Sequence, residues 1–372
     1  MTRNSAIKNK TAWGIRLACG LIFISFSVSF LLFQSPLLEM LQKVLSDGQT
    51  TYDPEWGTWI ITLVLCLLQW GIGHLIHFLP YGYALSYLPS MLLLAFITDI
   101  DHTIYEGVTM GSWIWILPLG IAGFAGLVGI GRRIERILGN EHRYKFLNTL
   151  VPNLLIMQVI CMGGLTLSNT DEVFHYEASV DAALLKQDYQ GALSVGADSR
   201  RSSRELSVMR AYALSRTDSL ADRLFAYPQY DASRGLLFDD RQVRTWLRPE
   251  SIYEYLGDTP RQGESIVAYL RRLCYSETGN EPVLDYYLCA ILLRKELDSF
   301  LKELNYFCYV EPALPKAYRE ALYLYALRHS DWNPPFDMSE MEEAYKAYRF
   351  SPCQYRDTYW YYYDHTTIDF KK

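Results

Sequence analysis

The sequence predicts an all-α fold in two parts, a five-helix transmembrane bundle followed by a soluble domain of helical hairpins. Three observations carry this. Five long apolar runs lie within the first 168 residues, and none follows. Charge is displaced the other way: of 35 Lys/Arg and 41 Asp/Glu, residues 1–170 hold 10 and 9, leaving net charges of +1 and −7 in the two halves, which together give −6. From Asp171 onward the apolar spacing is that of amphipathic helices with short polar breaks, and strand patterns are almost absent. The domains therefore read as 1–168, in the membrane, and 169–372, outside it.

A helix that crosses the hydrocarbon of a bilayer takes about 20 apolar residues. The runs are 12–33, 58–79, 83–98, 112–130 and 147–167. The first follows Arg3, Lys8 and Lys10, as a secretory signal would. It is longer than a signal's apolar core and no Ala-x-Ala site follows, so it reads as a retained anchor. The third run is short and contains Pro89, which leaves a re-entrant segment as its alternative. The fourth carries Gly120, Gly123, Gly126 and Gly129. Its pairs Ala122/Gly126 and Ala125/Gly129 have the spacing that lets helices approach closely, within the bundle or between two copies.

Lys and Arg in short loops stay on the cytoplasmic side. The N-terminal segment has Arg3, Lys8, Lys10 and Arg16, and the segment after the fourth run has Arg132, Arg133, Arg136, Arg143 and Lys145. The loops after the first run (Glu39, Lys43, Asp47, Asp53, Glu55) and the third (Asp99, Asp101, His102, Glu106) are net acidic. A cytoplasmic N-terminus and five crossings satisfy every loop. They place residues 169–372 outside the cytoplasm, in the periplasm of a cell with two membranes, the protein itself being held in the inner membrane. Little of the chain then remains in the cytoplasm for a kinase or cyclase output.

Helices are expected near 172–186, 188–197, 203–216, 218–226, 263–275, 281–294, 296–306, 315–328 and 338–348. Three joints share a pattern, a basic helix end followed at once by an acidic start: Lys186-Gln187-Asp188, Arg294-Lys295-Glu296 and, more weakly, Arg216-Thr217-Asp218. Both charges suit the helix macrodipole. Repeated helical hairpins imply an α-solenoid of the tetratricopeptide kind, with irregular spacing and without the full consensus. Residues 227–250 hold Pro228 and Gly235 and read as an irregular link.

The C-terminal stretch contains Tyr359, Trp360, Tyr361, Tyr362 and Tyr363 in succession. Consecutive rings cannot all face one side of a helix. They close the end of the helical array, or they form a stacking surface for a peptide or sugar.

The stretches beginning at Pro282 and Leu314, with Thr358–Tyr363, resemble a domain-of-unknown-function family. Its members are multi-pass membrane proteins of Bacteroides-type bacteria with a helical C-terminal region. The resemblance covers mainly residues 250–365 and implies architecture and source, not chemistry.

Chemistry-bearing residues are few. Cys19, Cys66 and Cys161 fall inside spans; Cys274, Cys289, Cys308 and Cys353 lie in the exported part, as free thiols or as two disulfides. No Cys-x-x-Cys pair argues for zinc or thioredoxin chemistry. His74 and His77 sit one turn apart near the end of the second run. Asp53 with Glu55 and Asp99 with Asp101 are acidic pairs on the outer side, spaced to bind a divalent cation or to resemble the short acidic motifs of enzymes that use lipid-linked sugars. Asp218-Ser219-Leu220 resembles a bacterial O-glycosylation acceptor. No phosphate loop, Gly-x-Ser-x-Gly or His-Glu-x-x-His occurs. No cofactor is indicated, and an acidic soluble half excludes nucleic acid as a partner. The expected partners are the lipid bilayer and a protein of the cell envelope. The expected function is that of a scaffold or adaptor, with a membrane enzyme acting on a lipid-linked glycan as the alternative.

Overall fold

The computed structural model describes residues 3–46, 48–76, 78, 80–106, 110–138, 146–238, 245–276, 278–308 and 313–367. Every regular element among them is helical. The chain divides into two compact units, Met1–His175 and Tyr176–Lys372.

In the first unit five helices are long and apolar enough to cross a membrane: Ala12–Phe33, Pro54–Leu75, Tyr81–Thr98, Trp113–Arg133 and Phe146–Leu167. The first belongs to α1 (Arg3–Phe33). After one residue, Gln34, the chain re-enters a helix, α2 (Ser35–Leu45), which buries Leu37, Leu38 and Met40. The sequence reading had only an acidic loop there. α3 (Pro54–Leu75) starts four residues earlier than expected, because Asp53 caps it and Pro54 suits a first turn that needs no amide donor.

The third span is composite. A 3-10 segment, Pro80–Tyr87, leads into α4 (Leu88–Thr98), and Pro89 falls in the first turn of α4, where it costs no hydrogen bond. A 3-10 helix rises about 2.0 Å per residue against 1.5 Å. Eight residues of one and 11 of the other therefore reach about 30 Å, the hydrocarbon thickness, without a full α-helical span. α5 (Trp113–Leu138) carries Arg132, Arg133 and Arg136 on its last turns, not on a loop. α6 (Phe146–Leu167) completes the unit. Asp47, His77, Arg143 and Lys145 lie outside the described residues.

The 3-10 segment is the centre of this bundle, packed on α1, α3 and α6, while α5 leans on α4 and on the same segment. Polar side chains tie the spans together. Asn153 of α6 accepts the Ala84 amide at 2.8 Å. Gln69 of α3 donates to the Tyr83 and Ser86 hydroxyls at 3.1 and 2.9 Å. Ser90 donates to the Leu65 carbonyl at 2.9 Å. Apolar surface gains nothing by leaving lipid for protein, so such bonds and close packing supply the specificity. A Cβ at Gly120 would press on Leu92, whereas one at Gly123, Gly126 or Gly129 would meet nothing within 4 Å among the described residues, so that part of the small-residue face is open there.

The second unit starts within α7 (Glu172–Leu185) and continues through α8 (Tyr189–Ser194), α9 (Arg204–Ser215), α10 (Leu220–Arg223), α11 (Pro249–Leu256), α12 (Ile266–Ser276), α13 (Val283–Leu293), α14 (Leu297–Phe307), α15 (Lys316–Arg328), α16 (Ser339–Phe350) and α17 (Tyr359–His365). The three joints share one geometry. Gln187, Asp218 and Lys295 have φ of 58°, 51° and 60°. The next amides bond back five residues, from Asp188 to Ala183 at 2.9 Å, Ser219 to Leu214 at 2.9 Å and Glu296 to Ile291 at 3.3 Å. This is the Schellman closure, built on a residue other than glycine each time.

α13 is buried all round, nine of its 11 residues being inaccessible, which marks it as the centre of the unit. It packs on α12, α14 and α10, and α10 also meets α15, so contacts skip along the chain as they do not in a strictly one-dimensional stack of repeats. The link expected at 227–250 is irregular but not superficial: Leu236, Leu237 and Phe238 are core residues, and a 3-10 turn spans Ala232–Gly235.

Candidate functional site

Asp53, Asp99 and Asp101, from the two acidic pairs, are occupied locally. Asp53 accepts the Glu55 and Trp56 amides at 2.9 and 3.1 Å as the cap of α3. Asp99 accepts the Trp113 indole at 2.7 Å. Asp101 accepts the Thr103 amide and hydroxyl at 2.8 and 2.6 Å. Glu55 stands in the first turn of α3, where a negative charge suits the helix dipole. Among the described residues no three His, Cys, Asp or Glu side chains converge to hold a metal. His74 stacks on Trp70 at 5.8 Å. All seven cysteines are free. Burial pushes the Cys274 thiol up to about 12 and Cys289 well above its usual range, so both are inert. Asp218-Ser219-Leu220 is a tight helix joint, with Ser219 as the cap residue of α10 and its hydroxyl 2.8 Å from that of Thr217.

The aromatic run forms α17, and the helix divides it. Tyr359, Trp360 and Tyr362 are buried; Tyr361 and Tyr363 are half-buried. Trp360, 1% exposed, lies among Tyr323, Tyr345 and Tyr348 at centroid distances of 6.1, 5.2 and 5.9 Å. Its indole donates to the Glu320 carbonyl at 2.8 Å. The Glu320 carboxylate accepts the Tyr359 amide at 2.6 Å, at the start of α17. Burial of that carboxyl raises it to about 7, against the pull of Lys316. Tyr359 and Tyr362 donate to the Leu292 and Leu293 carbonyls at 3.1 and 2.6 Å, closing the end of α13. Lys295, at the α13–α14 joint, donates to the carbonyls of Tyr363, at 2.6 Å, and Thr366, closing the end of α17 in return. The two rings left at the surface already have partners. Tyr361 stacks on His365 at 4.2 Å, and the Arg328 guanidinium lies 4.7 Å over Tyr363. Any external ligand would compete with these two contacts.

A second aromatic group escaped the sequence reading. Tyr275 at the end of α12 stacks on Tyr306 at the end of α14 at 5.1 Å, and Phe307 meets both at 5.2 and 4.7 Å. The Tyr275 hydroxyl donates to Glu303 at 2.8 Å, and the Arg271 guanidinium lies 5.3 Å over its ring. Tyr275 and Tyr306 are 42% and 66% exposed. Exposed clustered aromatics beside an arginine have the composition of a binding hot spot. The only signal in the sequence was an aromatic at each of two helix ends, which says nothing until α12 and α14 are brought together.

Residues 258–366 match the model of a family described as Family of unknown function (DUF6057). The match begins at Asp258, which with Glu264 is held below the usual carboxylate range by the Arg272 guanidinium at 2.7 and 2.9 Å, and it ends at Thr366, one of the Lys295 acceptors. It coincides with the region of resemblance at 250–365 and takes in both aromatic groups. No curated protein and no solved structure matches the chain.

Proposed function

We propose that the chain is a membrane-anchored adaptor whose second unit binds a protein partner in the cell envelope. Its N-terminus is cytoplasmic and the second unit lies on the far side of a bacterial inner membrane. The distribution of Arg3, Arg16, Arg132, Arg133 and Arg136 against the acidic loops supports that orientation. The three hairpin joints support a tetratricopeptide-like use of the helices, as supports for a recognition surface. The observation that carries the reading is the group of exposed Tyr275 and Tyr306 with half-buried Phe307 beside Arg271. Rings of this size bind a partner with little loss of side-chain freedom, and an adjacent guanidinium adds directed hydrogen bonds. No observation favours the glycan enzyme, since Asp53, Asp99 and Asp101 are spent on local bonds.

The test is crosslinking in native membranes, affinity capture and mass spectrometry with the wild type and a Tyr275→Ala/Tyr306→Ala variant. One recurrent protein is expected with the wild type, falling roughly ten-fold or more in the variant. A chain recovered alone, or a partner retained equally by the variant, overturns the reading.

A further inference from the structure

Between α4, α5 and α6 the first unit leaves a cavity of 490 Å3. Met91 lies on its α4 side, Leu127 on α5, and Leu155 and Ile160 on α6, and its lining residues are only Leu, Ile, Val, Met and Gly. Gly163 and Gly164 both border it and do different things. A Cβ at Gly164 would meet the Met91 sulfur at 2.7 Å, so glycine there lets α4 and α6 close. A Cβ at Gly163 would meet nothing within 4 Å. The space beside it is a property of the helix arrangement.

The chemistry of the occupant follows from three facts. The walls belong to helices long and apolar enough to cross a bilayer, so the medium that reaches them is hydrocarbon. A water there would lack the two to four polar partners it needs, and empty apolar space forfeits dispersion contacts. The volume lies in the range of roughly 300–1,000 Å3 typical of small-molecule sites. One turn of a helix, 5.4 Å long and about 10 Å across, already fills roughly 400 Å3. The cavity holds little more than one such turn, whereas a flexible hydrocarbon chain fills it along its length.

We propose that the cavity is a lipid site, occupied by one acyl chain of a bilayer phospholipid that wedges α5 away from α6. The purely apolar lining takes the chain alone and leaves the headgroup outside. The acyl chain completes a bundle in which, among the described residues, α5 packs mainly on α4 and the 3-10 segment.

The full-length protein, purified in detergent, is examined by native mass spectrometry and by quantifying its extracted phospholipid. The wild type is expected to retain about one phospholipid per chain. Gly163→Phe is expected to lose it roughly ten-fold, while Val64→Phe, which places the same ring at an exposed position of α3, keeps it. No phospholipid on the wild type, or equal retention by Gly163→Phe, overturns the proposal. So does loss of a stoichiometric polypeptide in place of lipid, which would assign the groove to a helix. A second measurement needs no variant. The wild type is placed in nanodiscs with phospholipid carrying a diazirine on one acyl chain. Met91 and Ile160 line the cavity although only 2% and 6% exposed, whereas Leu94 and Met157, each 1% exposed, do not line it. Labelling of the first pair over the second is expected, and equal labelling overturns the site.

Discussion

The two units use their buried polar groups differently. In the first, side chains tie one span to another, Asn153 of α6 to the Ala84 amide, Gln69 of α3 to Tyr83 and Ser86, and Thr98 to the Ser168 hydroxyl. In the second they close helix ends. Arg210, a fully buried guanidinium, donates to the Val195 and Gly196 carbonyls at 2.9 and 3.0 Å beyond α8, and Tyr227 to that of Leu193 at 2.9 Å. Tyr255 donates to Ser215 at 3.2 Å at the end of α9, and Tyr359, Tyr362 and Lys295 do the same for α13 and α17. The cause is helix length. A span of 22 residues such as α3 brings its ends to the interface, where water reaches them, and buries its middle in hydrocarbon. Helices of 6 to 14 residues, such as α8 and α7, have most of their carbonyls near an end, and packing them buries those ends. Tyrosine carries a donor at the tip of a long apolar ring, which fits that need. The chain accordingly has 29 tyrosines against 16 phenylalanines.

Four substitutions would break or sharpen this contrast. Trp360→Ala removes the centre of the C-terminal aromatic core and is expected to cost about 3–5 kcal/mol. Hydrogen exchange should register the loss in the second unit and leave amide protection in the first unchanged; equal loss in both would end the distinction.

Glu320 gives the next largest effect, as a pH dependence. Raised from 4.5 to about 7, it keeps its proton in the folded chain while the unfolded chain ionises. Its contribution is therefore full below pH 4.5 and is lost as pH climbs to about 7, a change on the order of 3 kcal/mol. The groups facing it are Lys316, Arg319 and Asp357. Glu320→Gln still offers an oxygen to the Tyr359 amide but cannot titrate. Urea midpoints followed across this range should fall for the wild type and stay level for the variant, and parallel curves would refute the assignment.

The smallest effects come from a matched pair. Asn153→Leu strands the Ala84 amide and is expected to cost about 1–3 kcal/mol, while Tyr362→Phe strands the Leu293 carbonyl for about 1 kcal/mol. Orphaned amides are the rarer and worse case, since a carbonyl has a second lone pair. Thermal unfolding in detergent measures both, and a reversed order would mean that bonds between spans matter less than end closures.

Much of the helical order was legible, for physical reasons that differ by element. α7 to α10 and α12 to α16 follow from apolar period and charged ends, and the joints at Gln187, Asp218 and Lys295 from their reversal of charge. α17 was not legible because its rings face several ways, and period vanishes in a helix buried on several sides. α2 was hidden by Glu39 and Lys43, which suggested a loop. The 3-10 half of the third span shows only as a run that looked too short. Of the candidate site residues, the sequence marked Tyr359 to Tyr363 as unusual. It could not tell which rings turn inward, because that depends on α13 and α15, far away in the chain.

The mutual closure of α13 and α17 gives the order of synthesis a consequence. The Leu292 and Leu293 carbonyls wait for hydroxyls made 67 and 69 residues later. Until Tyr362 has left the ribosome, the central helix of the unit has an open end and an uncovered apolar flank, which is the kind of surface that chaperones and proteases recognise. A nascent chain that stops short of Tyr359 thus leaves that end of α13 uncapped and open to recognition.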